Sequence, residues 1–529
     1  MLIIRLGFSI LIILFIQLSE IFVHGGRTDW SIEKNPSFWR EQARLSIDEI
    51  LKTRDNTRIA KNVIMFLGDG MGVSTVTAGR IRKGQMNGQL GEDLITEMEQ
   101  FSHLGLVKTY NIDYQTPDSA ATATAYLCGV KAQLGTIGVD GHAKRANCPS
   151  SIGTNVSSIL HWAQQAGKKV GIITTARITH ATPAAAYAHI PERNWEGYDT
   201  RYFGAIQAEQ GCVDIAEQLV SHSPPIDLLF GGGRRFFYPN TTRDVEDSSL
   251  FNSRTDKKSL IDDYWKGRYI WNKTDMNKIP FGSSEPILGL FEYDHLQYEA
   301  DRLSKGKDEP TLTEMTRFAL EHFLKTNEGF FLLVEGGRID HGHHETRARY
   351  ALDEFAHFDD TIGHAKQFLK DREQLNVSDV DRLPINIIAY GNGPNFASKR
   401  NASYLYSLDT NSTQYLSPSA LPMRAETHGG EDVPVYAQGP WSHLFVGTME
   451  QHTIAHKMAY AACWGDYINR DGCTSSGTQT MSSTTLTTTR PTESSQSTAF
   501  SGTQTIRQIL SIKIFIFIFS FFLIIKIND

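Results

Sequence analysis

The sequence predicts an α/β fold built on a central, largely parallel sheet, and three observations predict it. Short apolar runs rich in β-branched residues alternate with helical patterns, the order expected of parallel strands joined by crossover helices. Polar residues able to do chemistry stand just past several of those runs, at the strand ends where open α/β sheets build their sites. At 529 residues the chain also has ample material for a core, in one large domain or two ordinary ones.

Taken in chain order, residues 37–51 form an amphipathic helical segment ahead of the first strand. The candidate strands are 62–67, 169–174, 226–230, 330–334 and 385–390. Residues 156–166 read as a helix, with Val156, Ile159, Leu160 and Ala163 on one face. Asp69 follows the first strand, His180 and Thr182 follow the second, and Glu335 ends the fourth. Residues far apart in sequence are thereby expected to converge at one edge of the sheet.

The two ends have a different character. Residues 1–25 place Arg5 before an apolar run and end among small residues, the pattern of a secretory signal peptide cleaved near Gly25. Residues 26–473 are the expected folded domain. From 474 to 508 the chain is rich in Ser and Thr and poor in apolar residues, which reads as an O-glycosylated stalk. Small residues near 497–502 then precede an apolar tail at 509–529, broken by Ser511, Lys513, Ser520 and Lys526. That order matches a GPI-attachment signal with a hydrophobic propeptide, and a retained transmembrane helix is the alternative. The expected location is therefore the extracellular face of the plasma membrane. Six sequons, at Asn155, Asn240, Asn272, Asn376, Asn401 and Asn411, fit a secreted chain. Five cysteines in an oxidising compartment leave one unpaired. A net charge of −7 offers no basic footprint, so no nucleic-acid partner is expected.

Three segments carry the chemistry. In Asp118-Ser119-Ala120-Ala121-Thr122-Ala123-Thr124-Ala125 a serine stands beside a carboxylate at the start of a small-residue helix. A helix N-terminus favours developing negative charge, so Ser119 is a candidate nucleophile; read alone, the pair is more often an N-cap. In Asp340-His341-Gly342-His343-His344, Asp340 and His344 are four apart and share a helical face, so they could grip one divalent ion. Read alone, such a cluster is more often a solvated loop. A third ligand must come from elsewhere, and His428 is the obvious candidate.

The wider stretch from Thr116 to Cys128 resembles the nucleophile segment of animal alkaline phosphatases. The resemblance runs in order from Phe38 to Cys473. It includes Asn62 to Thr75 with its Gly68-Asp69-Gly70-Met71-Gly72, the segment Val334 to Glu345, and Glu426-Thr427-His428-Gly429-Gly430-Glu431-Asp432. It implies a three-layer sandwich and a phosphomonoesterase acting through a phosphoserine at Ser119, with Arg193 clamping the substrate phosphate. It also implies a first zinc at Asp340, His344 and His428, and a magnesium shell of Asp69, His180, Thr182 and Glu335. Asp69 and Ser119 would contribute to a second zinc. Glu246, Phe291 (through its carbonyl), Glu292 and Glu309 align with a structural calcium site, Glu309 standing where aspartate is the family residue. The resemblance pairs Cys148 with Cys212 and Cys463 with Cys473, leaving Cys128 free, and implies a homodimer contacted by the leading helix.

One family element is missing. A Thr-Ala-Asp-His strand, whose Asp and His complete the second zinc site, should precede the Tyr-Gly-Asn-Gly strand. Between Asp360 and Asn386 this chain has no Ala-Asp-His. Ser119 would then lack the cation that activates it. Two readings follow: an extracellular phosphomonoesterase, or an impaired or inactive surface glycoprotein or splice product of the same family.

Overall fold

The computed structural model describes residues 34, 36–370, 390–395, 409, 412–417 and 419–473. Both expected terminal segments, 1–25 and 474–529, lie outside the described residues. Among the described residues no helix is long and apolar enough to cross a membrane.

A six-stranded sheet organises the described chain. Its strands are β1 (Val63–Gly68), β3 (Lys169–Arg177), β4 (Leu228–Gly232), β5 (Arg268–Ile270), β6 (Ile287–Leu290) and β7 (Phe330–Gly336), in the order β1-β7-β3-β4-β6-β5. Every pairing in it is parallel. A second sheet joins β2 (His103–Lys108) to β10 (Val433–Ala437) and β11 (Gly447–Glu450), and β8 (Tyr390–Gly393) pairs with β9 (Ser419–Pro422).

Alternation along the central strands divides the core in two. Val170, Ile172, Phe331 and Leu333 face one cluster, whereas Ile173, Phe330, Leu332 and Val334 face the other. Side chains of a strand alternate between faces, so a run buried on both sides requires a layer of helices on each. One layer includes α1 (Ser119–Cys128), α2 (Ile159–Gln165) and, much later in the chain, Thr453–Ala462. The other includes α3 (Leu312–Phe323) and α4 (Ala348–Lys370), which bury Met315, Phe318, Phe355 and Phe358. This is the expected three-layer α/β architecture. Leu333 is fully buried in it, and truncating it to alanine should cost about 2–5 kcal/mol.

The boundaries differ where a side chain takes over from the backbone. The strand expected at 226–230 begins at Leu228, because the carboxylate of Asp227 accepts the Val170 amide at 2.9 Å and the Lys169 ammonium at 2.8 Å. The helix expected from Val156 begins at Ile159, since the Ser158 hydroxyl caps it by accepting from the His161 amide. The leading helix spans Pro36–Lys52. Residues 385–389 lie outside the described set, and Tyr390 opens β8, which pairs with β9 and not with the central sheet.

Among the described residues β1 lies at an edge of the central sheet, pairing only with β7, and β10 pairs only with β2. Residues 62–68 of the first and 433–437 of the second line one cavity of about 550 Å³ that reaches Ser119.

Both expected disulfides form, Cys148–Cys212 and Cys463–Cys473, and Cys128 is free and buried. Of the sequons, Asn376, Asn401 and Asn411 lie outside the described residues, while Asn155 and Asn240 are exposed. Asn272 is buried, its side chain accepting from the Asp275 amide as a helix cap and donating to the Asp275 carboxylate.

Candidate active site

The carboxyl ends of β1, β3 and β7 deliver the first residues of the site. Asp69 follows β1 directly, and Gly70 turns the chain with φ +64°. A Cβ at Gly70 would lie 2.8 Å from an Asp340 carboxylate oxygen, so glycine here allows Asp69 and Asp340 to approach one another. Glu335 lies on β7, and the helix that follows, Arg338–His344, carries Asp340 and His344 one turn apart. His180 and Thr182 lie beyond the end of β3. His428 arrives on the segment before β10.

Ser119 opens α1. Asp118 caps the helix, its carboxylate accepting the Ala121 amide at 3.2 Å. Ser119 is buried, and its hydroxyl donates to Asp69, with Oγ 3.1 Å from each carboxylate oxygen. Arg193 reaches the same point from a loop, one guanidinium nitrogen 3.1 Å from Asp118 Oδ2 and another 3.3 Å from His180 Nε2.

Two ligand groups result. Asp340, His344 and His428 bring one donor atom each within 4.8 Å of one another, as do Asp69, His180 and Glu335. In the first, His344 Nδ1 lies 2.7 Å from the Glu426 carbonyl, which turns Nε2 toward Asp340 at 3.4 Å. His428 Nε2 lies 3.6 Å from the other Asp340 oxygen. This oxygen-and-imidazole set suits zinc. In the second, Glu335 Oε2 accepts from Thr174 at 2.5 Å, but Glu335 Oε1 is buried without a partner. Such an orphaned acceptor is what a bound cation would satisfy. Thr182 is in hydrogen-bonding contact with Glu335 and takes a hydrogen bond from Tyr126.

The electrostatics agree. Burial, then the charges of Asp340 and Glu335, push Asp69 well above the usual carboxylate range. Burial pushes Glu335 to about 7. Burial opposes ionisation of Asp340 too, yet the neighbouring His344 and His428 hold it below its ordinary value. Burial, then Arg193 and Arg177, drive His180 well below the imidazole range. Buried carboxylates crowded together beside imidazoles are the electrostatic shape of a cation site.

The remaining expected sites fare differently. Among the described residues, Asp69 and Ser119 do not form a second metal-holding group of their own. Asn392 is held away from that role: its amide donates to Thr427 Oγ1 at 2.9 Å and accepts the Thr427 N–H at 3.0 Å. The calcium set is changed too. Between Glu246 and Glu292 stands the ammonium of Lys307, and among the described residues these acids with Glu309 do not form a metal-holding group.

Several contributors were not visible in sequence. His343 sits between ligands yet uses both ring nitrogens elsewhere, on Thr75 and on the Tyr390 hydroxyl, each at 3.0 Å. His295 and His341 pack with ring centroids 4.2 Å apart, each 5.5 Å from His180. Asp118 orients Arg193 as well as capping α1. These are contacts between distant segments, and no local spacing announces them.

The alkaline phosphatase family profile matches residues 60–395 and 376–464. Among curated proteins the chain is similar to the tissue-nonspecific alkaline phosphatase of Rattus norvegicus, 44% identical over 485 residues, 83% of this chain and 91% of that protein. The alkaline phosphatase of Gadus morhua is 42% identical over 475 residues, covering 82% of this chain and 98% of its own. Among solved structures, the alkaline phosphatase of the Antarctic bacterium TAB5 superposes with a TM-score of 0.52 at 25% identity, over 78% of this chain and 100% of that one. The Thermus thermophilus enzyme shares the fold with a TM-score of 0.53 at 21% identity, over 78% and 93%.

Proposed function

The chain belongs to the alkaline phosphatase family and is a phosphoric monoester hydrolase; we propose that it works through a phosphoserine at Ser119. The observation that carries this reading is the Ser119 hydroxyl, buried at a helix N-terminus, bonded to Asp69 and flanked by Arg193. Asp69 accepts the hydrogen bond of the hydroxyl and holds Oγ in place. As the Ser119 Oγ–phosphorus bond forms, the ester phosphorus–oxygen bond breaks and the alcohol departs with a proton. Arg193 can present two parallel N–H groups to the phosphoryl oxygens, while Asp118 fixes its orientation. Water then attacks the phosphoserine, inorganic phosphate leaves, and Ser119 recovers its proton.

Asp340, His344 and His428 would hold zinc, and Asp69, His180, Thr182 and Glu335 magnesium. Bound there, the ions would supply Lewis-acid charge neutralisation and an acidified water.

The absent Ala-Asp-His favours a second reading, in which the chain keeps the family architecture and turns over slowly. One experiment addresses both. Brief incubation with radiolabelled inorganic phosphate, acid quenching and peptide mapping should place the label on Ser119. No label in a folded, metal-loaded protein would reject the phosphoserine. Turnover of p-nitrophenyl phosphate far below that of an intact relative would support the impaired form.

We further propose an extracellular, GPI-anchored homodimer. Its supports are the stalk and apolar tail in the sequence, and the leading helix, which exposes Ile47, Ile50 and Leu51. Release by phosphatidylinositol-specific phospholipase C, followed by sedimentation, would test both.

A further inference from the structure

We infer that Lys307 supplies an internal cation where the sequence resemblance places calcium, so that this part of the fold is independent of calcium. The inference does not depend on the catalytic reading.

The acids that would form the calcium shell are committed to other donors. Glu292 Oε1 accepts from the Lys307 ammonium at 2.5 Å and from the Gln297 amide at 2.7 Å, and its Oε2 accepts the Tyr293 N–H at 3.0 Å. Glu246 Oε2 accepts from Arg234 at 2.9 Å and faces the same ammonium at 3.5 Å. Both oxygens of Glu309 lie 3.2 Å from the Gln297 amide nitrogen. Calcium requires six to eight oxygens at about 2.3–2.6 Å. Here an ammonium stands between the two acids and turns donors, not lone pairs, toward that point.

Charge points the same way. Arg234 is almost wholly buried and pairs with Asp244 through two of its nitrogens, at 2.9 and 3.0 Å. Glu292 and Glu309 are buried as well. Without Lys307, Glu246 and Glu292 would share only what remains of the Arg234 charge, and a buried unpaired carboxylate is costly. One tethered ammonium contributes a single charge to that shortfall; a divalent ion added beside Lys307 and Arg234 would face two fixed positive charges at close range.

The local chain explains how the lysine arrives. The helix Glu299–Lys305 ends on Gly306 in the left-handed conformation, φ +61°. A glycine there stops the helix at little steric cost. The next residue, Lys307, reaches Glu292 and Glu246, and Glu309 follows two residues later. A cation carried by the chain cannot be diluted away, whereas a bound ion stabilises only in proportion to its free concentration.

The test is calcium titration of the full-length protein at fixed zinc and magnesium, read by thermal unfolding and by bound calcium per chain. The wild type should show no change in Tm and no stoichiometric calcium. Lys307→Met, which keeps the aliphatic stem and removes the charge, should melt lower without calcium and recover by several degrees in millimolar calcium. Trp271 lies beside Arg234, 5.9 Å from ring to guanidinium carbon, and intrinsic fluorescence gives a second readout should melting prove irreversible. The inference is overturned if the wild type binds one calcium per chain with a rise in Tm. It is also overturned if Lys307→Met melts like wild type and ignores calcium.

Discussion

Ser119 and Asp69, 50 positions apart in sequence, meet with the serine Oγ 3.1 Å from both carboxylate oxygens. The contact exists because α1 starts at Ser119 and β1 ends one residue before Asp69. It gives the hydroxyl an acceptor, and gives Asp69 a donor that partly offsets its crowding by Asp340 and Glu335. Ser119→Ala should lower kcat by roughly a thousandfold or more, the scale on which nucleophile deletions act. The melting temperature should barely change, because the Asp118 cap remains. Turnover of p-nitrophenyl phosphate beside a thermal melt checks both halves.

The ligand groups can be separated by mutation. His428→Ala removes one donor from the Asp340 and His344 group and leaves Asp69, His180 and Glu335 intact. It should lower bound zinc by about one ion per chain while magnesium is retained, with a drop in kcat of roughly a hundredfold or more. Elemental analysis after exhaustive dialysis decides. Equal loss of both metals would show the groups to be coupled.

Asp118 accepts on Oδ1 from the Ala121 N–H and Asn111, and on Oδ2 from Arg193 and the Gly135 N–H, so one variant can divide the two oxygens. Asp118→Asn keeps a side-chain acceptor for the Ala121 amide but loses the charge facing Arg193. Stability should fall by about 1 kcal/mol, because the cap is kept while the Gly135 N–H loses its acceptor. KM for phosphate esters and Ki for inorganic phosphate should shift, because Arg193 is no longer held by an ion pair. A large fall in Tm with unchanged KM would assign Asp118 to the helix alone.

The strands of the core were readable because their β-branched and aromatic runs must be buried on both faces, which few other arrangements of Phe330 to Val334 allow. The placement of Asp69, His180 and Glu335 followed from strand order. What sequence could not supply was pairing across the fold. Nothing near His343 reveals that its nitrogens belong to Thr75 and Tyr390. Nothing near Lys307 reveals that its ammonium stands between Glu246 and Glu292. Asp227 shortened a strand by competing with its backbone, and Tyr390 joined a small sheet because its pairing partner, Ser419, is set by tertiary contact.

A histidine cluster remote from the ligand residues should give the fold an acid-sensitive limb. His161 stacks on His189 and tilts against His222, with centroids 6.0 and 4.9 Å away. Burial, then the neighbouring imidazoles, hold His161 down to about 4; burial and His189 do the same for His222. Depressed values mean that the folded state keeps these rings neutral while the unfolded state takes up protons near 6.5. Stability is thus complete above that pH and declines as pH falls from about 6.5 toward 4, by at most ~1.4 kcal/mol per pH unit for each ring. His161→Gln retains a partner for Ser158 and should flatten this limb relative to wild type. Denaturant melts at pH 7 and pH 5 on both proteins isolate the difference, since protonation of the metal ligands is common to the two.

The cavity beside β1 should bind an amphipathic aromatic molecule in the native protein. Met65, Phe101, Val435, Ile454 and Met458 supply apolar lining, and Ser119, Asp69, Asp340 and His428 supply polar lining. A volume of about 550 Å³ is ample for a small aromatic molecule whose ring lies on the apolar lining and whose polar group faces the side chains around Ser119. The dye 8-anilinonaphthalene-1-sulfonate should bind the folded chain with about one site per protomer, under conditions where near-ultraviolet circular dichroism shows intact packing. Val435→Trp projects a large ring into the same space and should weaken the dye at unchanged fold. Filling apolar space without displacing a neighbour also improves packing, so the variant should melt no lower than wild type and gain as much as about 1 kcal/mol. No dye binding by the wild type, or a Val435→Trp protein that binds dye equally well, would mean that the space between β1 and β10 is filled in solution.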